Sequence, residues 1–208
     1  MVDVKWFGHC CFEVKGGEVT VLCDPHDGTS LGLPVPISNP DVVLISHPHD
    51  DHANGRKLFE NSIILDSPCH EHVKDSEITG IEAYHDDVKG SRMGVNVFFK
   101  FTVDGISYGH TGDLGHILEE WQLAQIGKID ILFSGVGSSS QANIELLKPR
   151  VVIPMHYHIE GIIFPWFKMP EVDDYVKDKP HRKLGNNTYK YTQESLPETL
   201  EYHVYEIR

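Results

Sequence analysis

Residues 46–52 read SHPHDDH, which puts three histidines and two aspartates between His47 and His52. The heptad follows directly on the apolar run Val42-Val43-Leu44-Ile45. That run has no polar alternation, as expected of a strand covered on both faces. Five ionisable groups at the end of a buried strand are costly to desolvate unless something pairs them. His47 and His49 alternate by two, so an extended backbone presents both on one side. Asp51 and His52 follow where a helix begins. Neutral imidazoles and carboxylates are ligands for zinc, iron and manganese. The cluster is too dense for one four-coordinate ion, and it predicts two metals side by side, about 3.5–4 Å apart.

Two metals need more donors than the heptad holds, and the chain supplies them at strand ends. Strands are expected at Val2–Trp6, Cys11–Val14, Val19–Cys23, Asp41–Ile45, Ser62–Leu65 and Ile78–Tyr84. A hairpin follows, with Val95–Val103 and Ile106–Tyr108 flanking Asp104-Gly105. Further strands are expected at Ile129–Phe133, Val151–Met155 and Tyr202–Ile207, and helices at Ala53–Glu60, Ile117–Ile126, Ser139–Leu147 and Glu171–Lys177. His85 then ends one strand, Asp113 closes the loop after another, and His156 ends a third. Loops at strand ends are where a rigid sheet presents functional groups. The order, β-rich and then βα in each half, suggests two mixed sheets with helices outside.

The ordered set H47-x-H49-x-D51-H52, His85, Asp113 in HTGD and His156 in PMHY resembles the metallo-β-lactamase superfamily. WFGHCCFEV, VLCDP and IPMHY resemble its short hydrolase branch, which includes the bacterial ascorbate-phosphate lactonase. The likeness runs from residue 1 to about residue 158. It implies a four-layer αββα sandwich of two mixed β-sheets with a dinuclear site at one edge. It implies that His47, His49 and His85 hold one metal, that Asp51, His52 and His156 hold the other, and that Asp113 bridges them. It also implies a hydrolase using metal-bound hydroxide on a small lactone or ester, phosphorylated or not, with Asp51 and Asp113 as the catalytic carboxylates. Zinc is the first choice of metal, with manganese and iron also fitting. A phosphodiesterase or nuclease is the alternative. A di-iron redox protein and a non-catalytic metal-binding module are alternatives of another class. The di-iron branch has a carboxylate where this chain has His49.

Composition narrows the partners. The net charge of −13 repels phosphate backbones, so a small-molecule substrate is expected and nucleic acid is not. No apolar run approaches the roughly 20 residues of a membrane span, and no signal peptide is visible, so a soluble cytoplasmic protein is expected. The four cysteines form no C-x-x-C pair and read as small buried residues. Residues 1–208 read as one domain, with 159–208 a C-terminal extension that fits nothing in the lactonase branch.

Several residues have two readings. His9 is either a hydrogen-bonded buried histidine or a partner of a ligand. Asp24 either anchors its loop or orients a ligand histidine. His26, His110 and His158 flank the expected site loops as bystanders, and His70, His72, His116, His181 and His203 read as solvated surface. Arg92 reads as an exposed loop cation or an anion contact. Phe164, Trp166 and Phe167 read as core, as a wall over the metals, or as a subunit contact in a homo-oligomer.

Overall fold

The computed structural model describes residues 1–207. In chain order the strands are β1 (Val2–Gly8), β2 (Cys11–Gly16), β3 (Val19–Cys23), β4 (Val42–Leu44), β5 (Ile63–Leu65), β6 (Cys69–Val73), β7 (Ser76–Tyr84), β8 (Val95–Val103), β9 (Ile106–His110), β10 (Ile131–Gly135), β11 (Val151–Met155), β12 (His181–Lys183), β13 (Thr188–Tyr191) and β14 (Glu201–Val204). The α-helices are α1 (Asp50–Ala53), α2 (Glu120–Ile126), α3 (Ser140–Leu147) and α4 (Val172–Val176).

Two mixed sheets form. One has the order β13-β1-β2-β3-β4-β5, the other β12-β14-β11-β10-β9-β8-β7-β6. Each has antiparallel pairs at its start and parallel pairs where helices or long loops make the crossovers. The sheets pack face to face through alternate residues. Val4, Trp6, Phe12 and Val14 meet Phe99, Phe101, Tyr108 and Phe133, all buried. Phe12 and Phe133 stack in close contact, with ring centroids 4.3 Å apart. The neighbour of Phe133, Leu132, points the other way and packs with Phe98, Ile126, Ile144 and Val152 under α2 and α3. On the far side of the first sheet, Cys11, Leu22, Val43 and Ile45 pack under Phe59. The result is the expected αββα sandwich.

The helix expected at Ala53–Glu60 is instead one α turn followed by a 3₁₀ segment, Asn54–Phe59. Gly55 explains the change. Its N–H bonds to Pro25 O at 2.8 Å rather than to a helix carbonyl. A side chain on Gly55 would lie 2.5 Å from the Pro25 and His26 carbonyls, so only glycine permits this approach. β6, β12 and β13 were not expected from sequence. They are polar edge strands, and a polar edge discourages pairing with other chains. The chain after residue 159 adds β13 to the first sheet and β12 and β14 to the second.

His203 corrects the surface reading. It is buried, with Nδ1 2.8 Å from Tyr191 Oη and Nε2 3.1 Å from Glu201 Oε2. Its polar character masked an inward-facing strand position.

Removing the Phe133 ring leaves a void where both cores meet one strand. Phe133→Ala should cost roughly 3–5 kcal/mol of unfolding free energy, read by chemical denaturation. A loss below about 1 kcal/mol would mean that the sheets do not depend on this stack.

Candidate metal centre

Strand ends from both sheets converge on one edge of the sandwich. The chain leaves β4, runs through Ser46–Pro48 and enters α1, with His49 as the extended N-cap. β7 delivers His85, the loop after β9 delivers Asp113, and β11 delivers His156. The turn between β1 and β2 delivers His9.

All seven expected ligand residues meet here, in two groups. His47, His49 and His85 offer nitrogens within 4.8 Å of one another. Asp51, His52 and His156, joined by His9, form a second such group. Asp113 lies between them. Its Oδ2 is 3.2 Å from His85 Nε2, 3.9 Å from His47 Nε2 and 3.3 Å from His156 Nε2, and its Oδ1 is 3.4 Å from His52 Nε2.

Hydrogen bonds behind the cluster aim the rings. Asp24 is buried, and its carboxylate accepts from Ser46 N and Ser46 Oγ, both at 2.7 Å. Because the Ser46 hydroxyl proton goes to Asp24, its oxygen accepts from His47 Nδ1 at 2.9 Å. His47 Nε2 is then the bare nitrogen, and it faces the cluster. His52 Nδ1 donates directly to Asp24 Oδ2 at 2.7 Å. His52 Nε2 is buried and makes no well-formed hydrogen bond, with carboxylate oxygens of Asp51 and Asp113 3.3 and 3.4 Å away. A buried polar nitrogen left this way is costly unless something binds it. A carboxylate behind a histidine whose other nitrogen is free is the arrangement that supports a metal ligand. The donor set therefore fits divalent metal.

Asp24 thus orients ligand-type histidines in both groups, the second of its two readings. His9 Nε2 donates to Asp51 Oδ2 at 2.8 Å, so His9 is a partner of the cluster. Backbone strain marks the same positions. His9, Asp24 and His156 have φ of 52°, 41° and 58°, in the left-handed region that non-glycine residues avoid. Asp113 is set by Gly112, whose φ is 51° and where a Cβ would lie 2.4 Å from Asn96 Oδ1 and Ser46 Cβ.

The carboxylates draw positive charge into the cluster: against burial, Asp113 holds His52 and His85 above the usual imidazole range, so a metal there competes with protons. Burial, aided by neighbouring His52, lowers His47 to about 3. Burial and the His156 ring lower His9 to about 4, although Asp51 works the other way. Both rings are neutral at pH 7. Burial pushes Asp113 up, but the His156 and His52 rings outweigh it and hold the carboxyl well below its usual range. Asp51 is likewise held low, against burial, by His52 and His9.

The remaining candidates separate cleanly. His26 and His110 each accept a backbone N–H at Nδ1 and bond a carbonyl through Nε2, so neither has a free nitrogen. His158 is exposed and lies 3.2 Å from Glu171. Arg92 is exposed and pairs with Asp87, so the loop-cation reading stands. Phe164, Trp166 and Phe167 are not core. Phe164 sits 5.5 Å from the His9 ring, and Phe167 lies parallel to the His156 ring at 6.0 Å. Phe164 and Phe167 form a wall over the second group, and Trp166 packs on the outer side against Phe164.

A cavity of about 190 Å³ opens beside His85, Asp113 and His156. Its floor is the segment Gly135–Ser140 between β10 and α3, which sequence reasoning missed. The one signal was the small-residue string GVGSSS after a strand.

An αββα sandwich with this imidazole–carboxylate cluster at its edge defines a metallohydrolase-type centre. The β-lactamase superfamily domain profile matches residues 3–156, so the chain belongs to the metallo-β-lactamase superfamily. A "UPF0173 metal-dependent hydrolase" of Nitratidesulfovibrio vulgaris is 30% identical over 193 residues, covering 74% of this chain and 79% of the relative. A solved structure from Thermotoga maritima, named as a Zn-dependent hydrolase of this superfamily, is 29% identical with a TM-score of 0.77. It covers 99% of this chain and 100% of that one. The metallo hydrolase Igni18 of Ignicoccus hospitalis shares the fold, with a TM-score of 0.65 at 20% identity. The chain is a metal-dependent hydrolase. Among the described residues, no helix is long and apolar enough to cross a membrane.

If Asp24 aims both groups, Asp24→Ala should weaken metal binding by roughly 10- to 100-fold, measured by competition with a chromophoric chelator. Far-ultraviolet circular dichroism should stay at the parental level. Parental affinity would show that Asp24 only anchors its loop.

Proposed function

We propose that the chain hydrolyses a small, uncharged lactone or ester, using two divalent metals. His47, His49 and His85 would hold one, Asp51, His52 and His156 the other, with Asp113 between them. Zinc fits the donors best, and manganese and iron remain compatible with them. When bound, the metals supply charge that polarises a substrate oxygen and acidifies a water.

The chain's own residues do the rest. Asp113 reaches both groups, His85 and His156 through Oδ2 and His52 through Oδ1, which suits a bridging carboxylate. Asp51 and Asp113 stay ionised through the neutral range, so each can hold a cation. His9 keeps Asp51 turned toward the cluster. Phe164 and Phe167 give the His156 side an apolar wall.

The cavity carries the choice of substrate. Among the described residues, no lysine or arginine lines it, while Leu114, Val136 and Phe167 do. A phosphate substituent lying in the cavity beyond the metals would lose hydration with no lysine or arginine to replace it. A neutral acyl group meets no such barrier. This favours the unphosphorylated ester or lactone over its phosphorylated form.

The test is a panel of neutral aryl esters, simple lactones, their phosphorylated counterparts and phosphodiesters. It is run on chelator-stripped protein and again after zinc is restored. Zinc-dependent turnover of the neutral compounds, with phosphorylated ones at least about tenfold poorer in kcat/KM, supports the reading. Phe167→Ala should raise KM for apolar esters by about tenfold with little change in kcat. Preference for phosphorylated or phosphodiester substrates would overturn it.

A further inference from the structure

The turn joining β1 and β2 carries a side chain outside the seven-residue ligand set. Gly8 and His9 both have positive φ, 100° and 52°. Trp6 Nε1 donates to His9 O at 3.1 Å, and His110 Nε2 donates to Cys10 O at 3.1 Å. His110 Nδ1 accepts from Gly112 N, so His110 is committed to holding this turn. The next side chain, Cys10, is fully buried beneath the metal cluster.

Cys10 Sγ, a nitrogen of His52 and a carboxylate oxygen of Asp113 lie within 4.8 Å of one another. Asp24 occupies His52 Nδ1, and the buried Nε2 makes no well-formed hydrogen bond. Cys10 sits at the rim of the core between the sheets, where that core meets His52 and Asp113. Cys11 shows the contrast. It points to the opposite face of the sheet, among Leu22, Val43 and Phe59.

We propose that Cys10 is a metal ligand, sharing one cation with His52 and Asp113. This rests on the metal-centre reading above. On binding, the S–H bond breaks as the sulfur–metal bond forms, and the proton leaves to solvent. No oxidant or reductant is involved. A thiolate is a soft donor, so it biases the second position toward zinc or cobalt and away from manganese or magnesium. Imidazole and carboxylate donors alone would give that position a weaker preference.

The probe is cobalt(II), titrated into chelator-stripped full-length protein and followed by absorption. Visible d–d bands report cobalt in the centre through any ligands. A near-ultraviolet sulfur-to-cobalt charge-transfer band reports a thiolate ligand. The parent protein should show both. Cys10→Ser and Cys10→Ala should keep the visible bands and lose the near-ultraviolet one, and Cys11→Ser should keep both. Visible bands without the charge-transfer band in the parent would overturn the proposal while leaving the metal centre standing. So would a charge-transfer band that survives Cys10→Ser. No visible bands at saturating cobalt would overturn the metal-centre reading, and the Cys10 ligand with it. The parent spectrum decides even if a Cys10 variant fails to fold.

Discussion

One buried carboxylate organises this edge of the sandwich. Asp24 follows β3 in a left-handed conformation and accepts three hydrogen bonds from the loop and helix that follow β4. Through the Ser46 hydroxyl it sets His47, and directly it sets His52. One group therefore fixes the direction of a histidine in each half of the cluster. In a low-dielectric interior such charge-assisted bonds are strong, so a wrong rotamer of His52 would cost Asp24 one of them, and a wrong rotamer of His47 would strip its Nδ1 of the Ser46 acceptor. That cost holds the site rigid without any metal contact from Asp24 itself.

The sandwich makes this arrangement possible. Each parallel strand ends at the same edge, so β4, β10 and β11 all deliver loops there, joined by β9, parallel to β10, and by β7, which runs the same way on the far side of β8. The packed interior of Phe12, Phe99 and Phe133 lets those ends sit at fixed separation. The aromatic segment around Phe164–Phe167 lies over the histidines and leaves the cavity beside Asp113 as an opening.

Much of this was legible in the sequence, for physical reasons that differ by residue. Val42–Ile45 announces a buried strand because every position is apolar, and the density of His47–His52 has no economical explanation but metal. His85, Asp113 and His156 were legible as strand-end donors, and their grouping came from family resemblance. The 3₁₀ segment at Asn54–Phe59 was hidden because the contact of Gly55 with Pro25 is tertiary. His203 was hidden because a polar residue inside a strand gives no burial signal. Ser46, the relay between Asp24 and His47, looked like an ordinary loop serine. Cys10 read as packing, and only the fold places its sulfur near His52.

The central claim is that these strand ends build two adjoining metal positions sharing Asp113. Crystals of zinc-loaded protein, measured on either side of the zinc absorption edge, test it most directly. The account predicts two anomalous peaks about 3.5–4 Å apart. One should lie among His47, His49 and His85, the other among Asp51, His52 and His156, with Asp113 touching both. A single peak, or peaks away from these side chains, would contradict it.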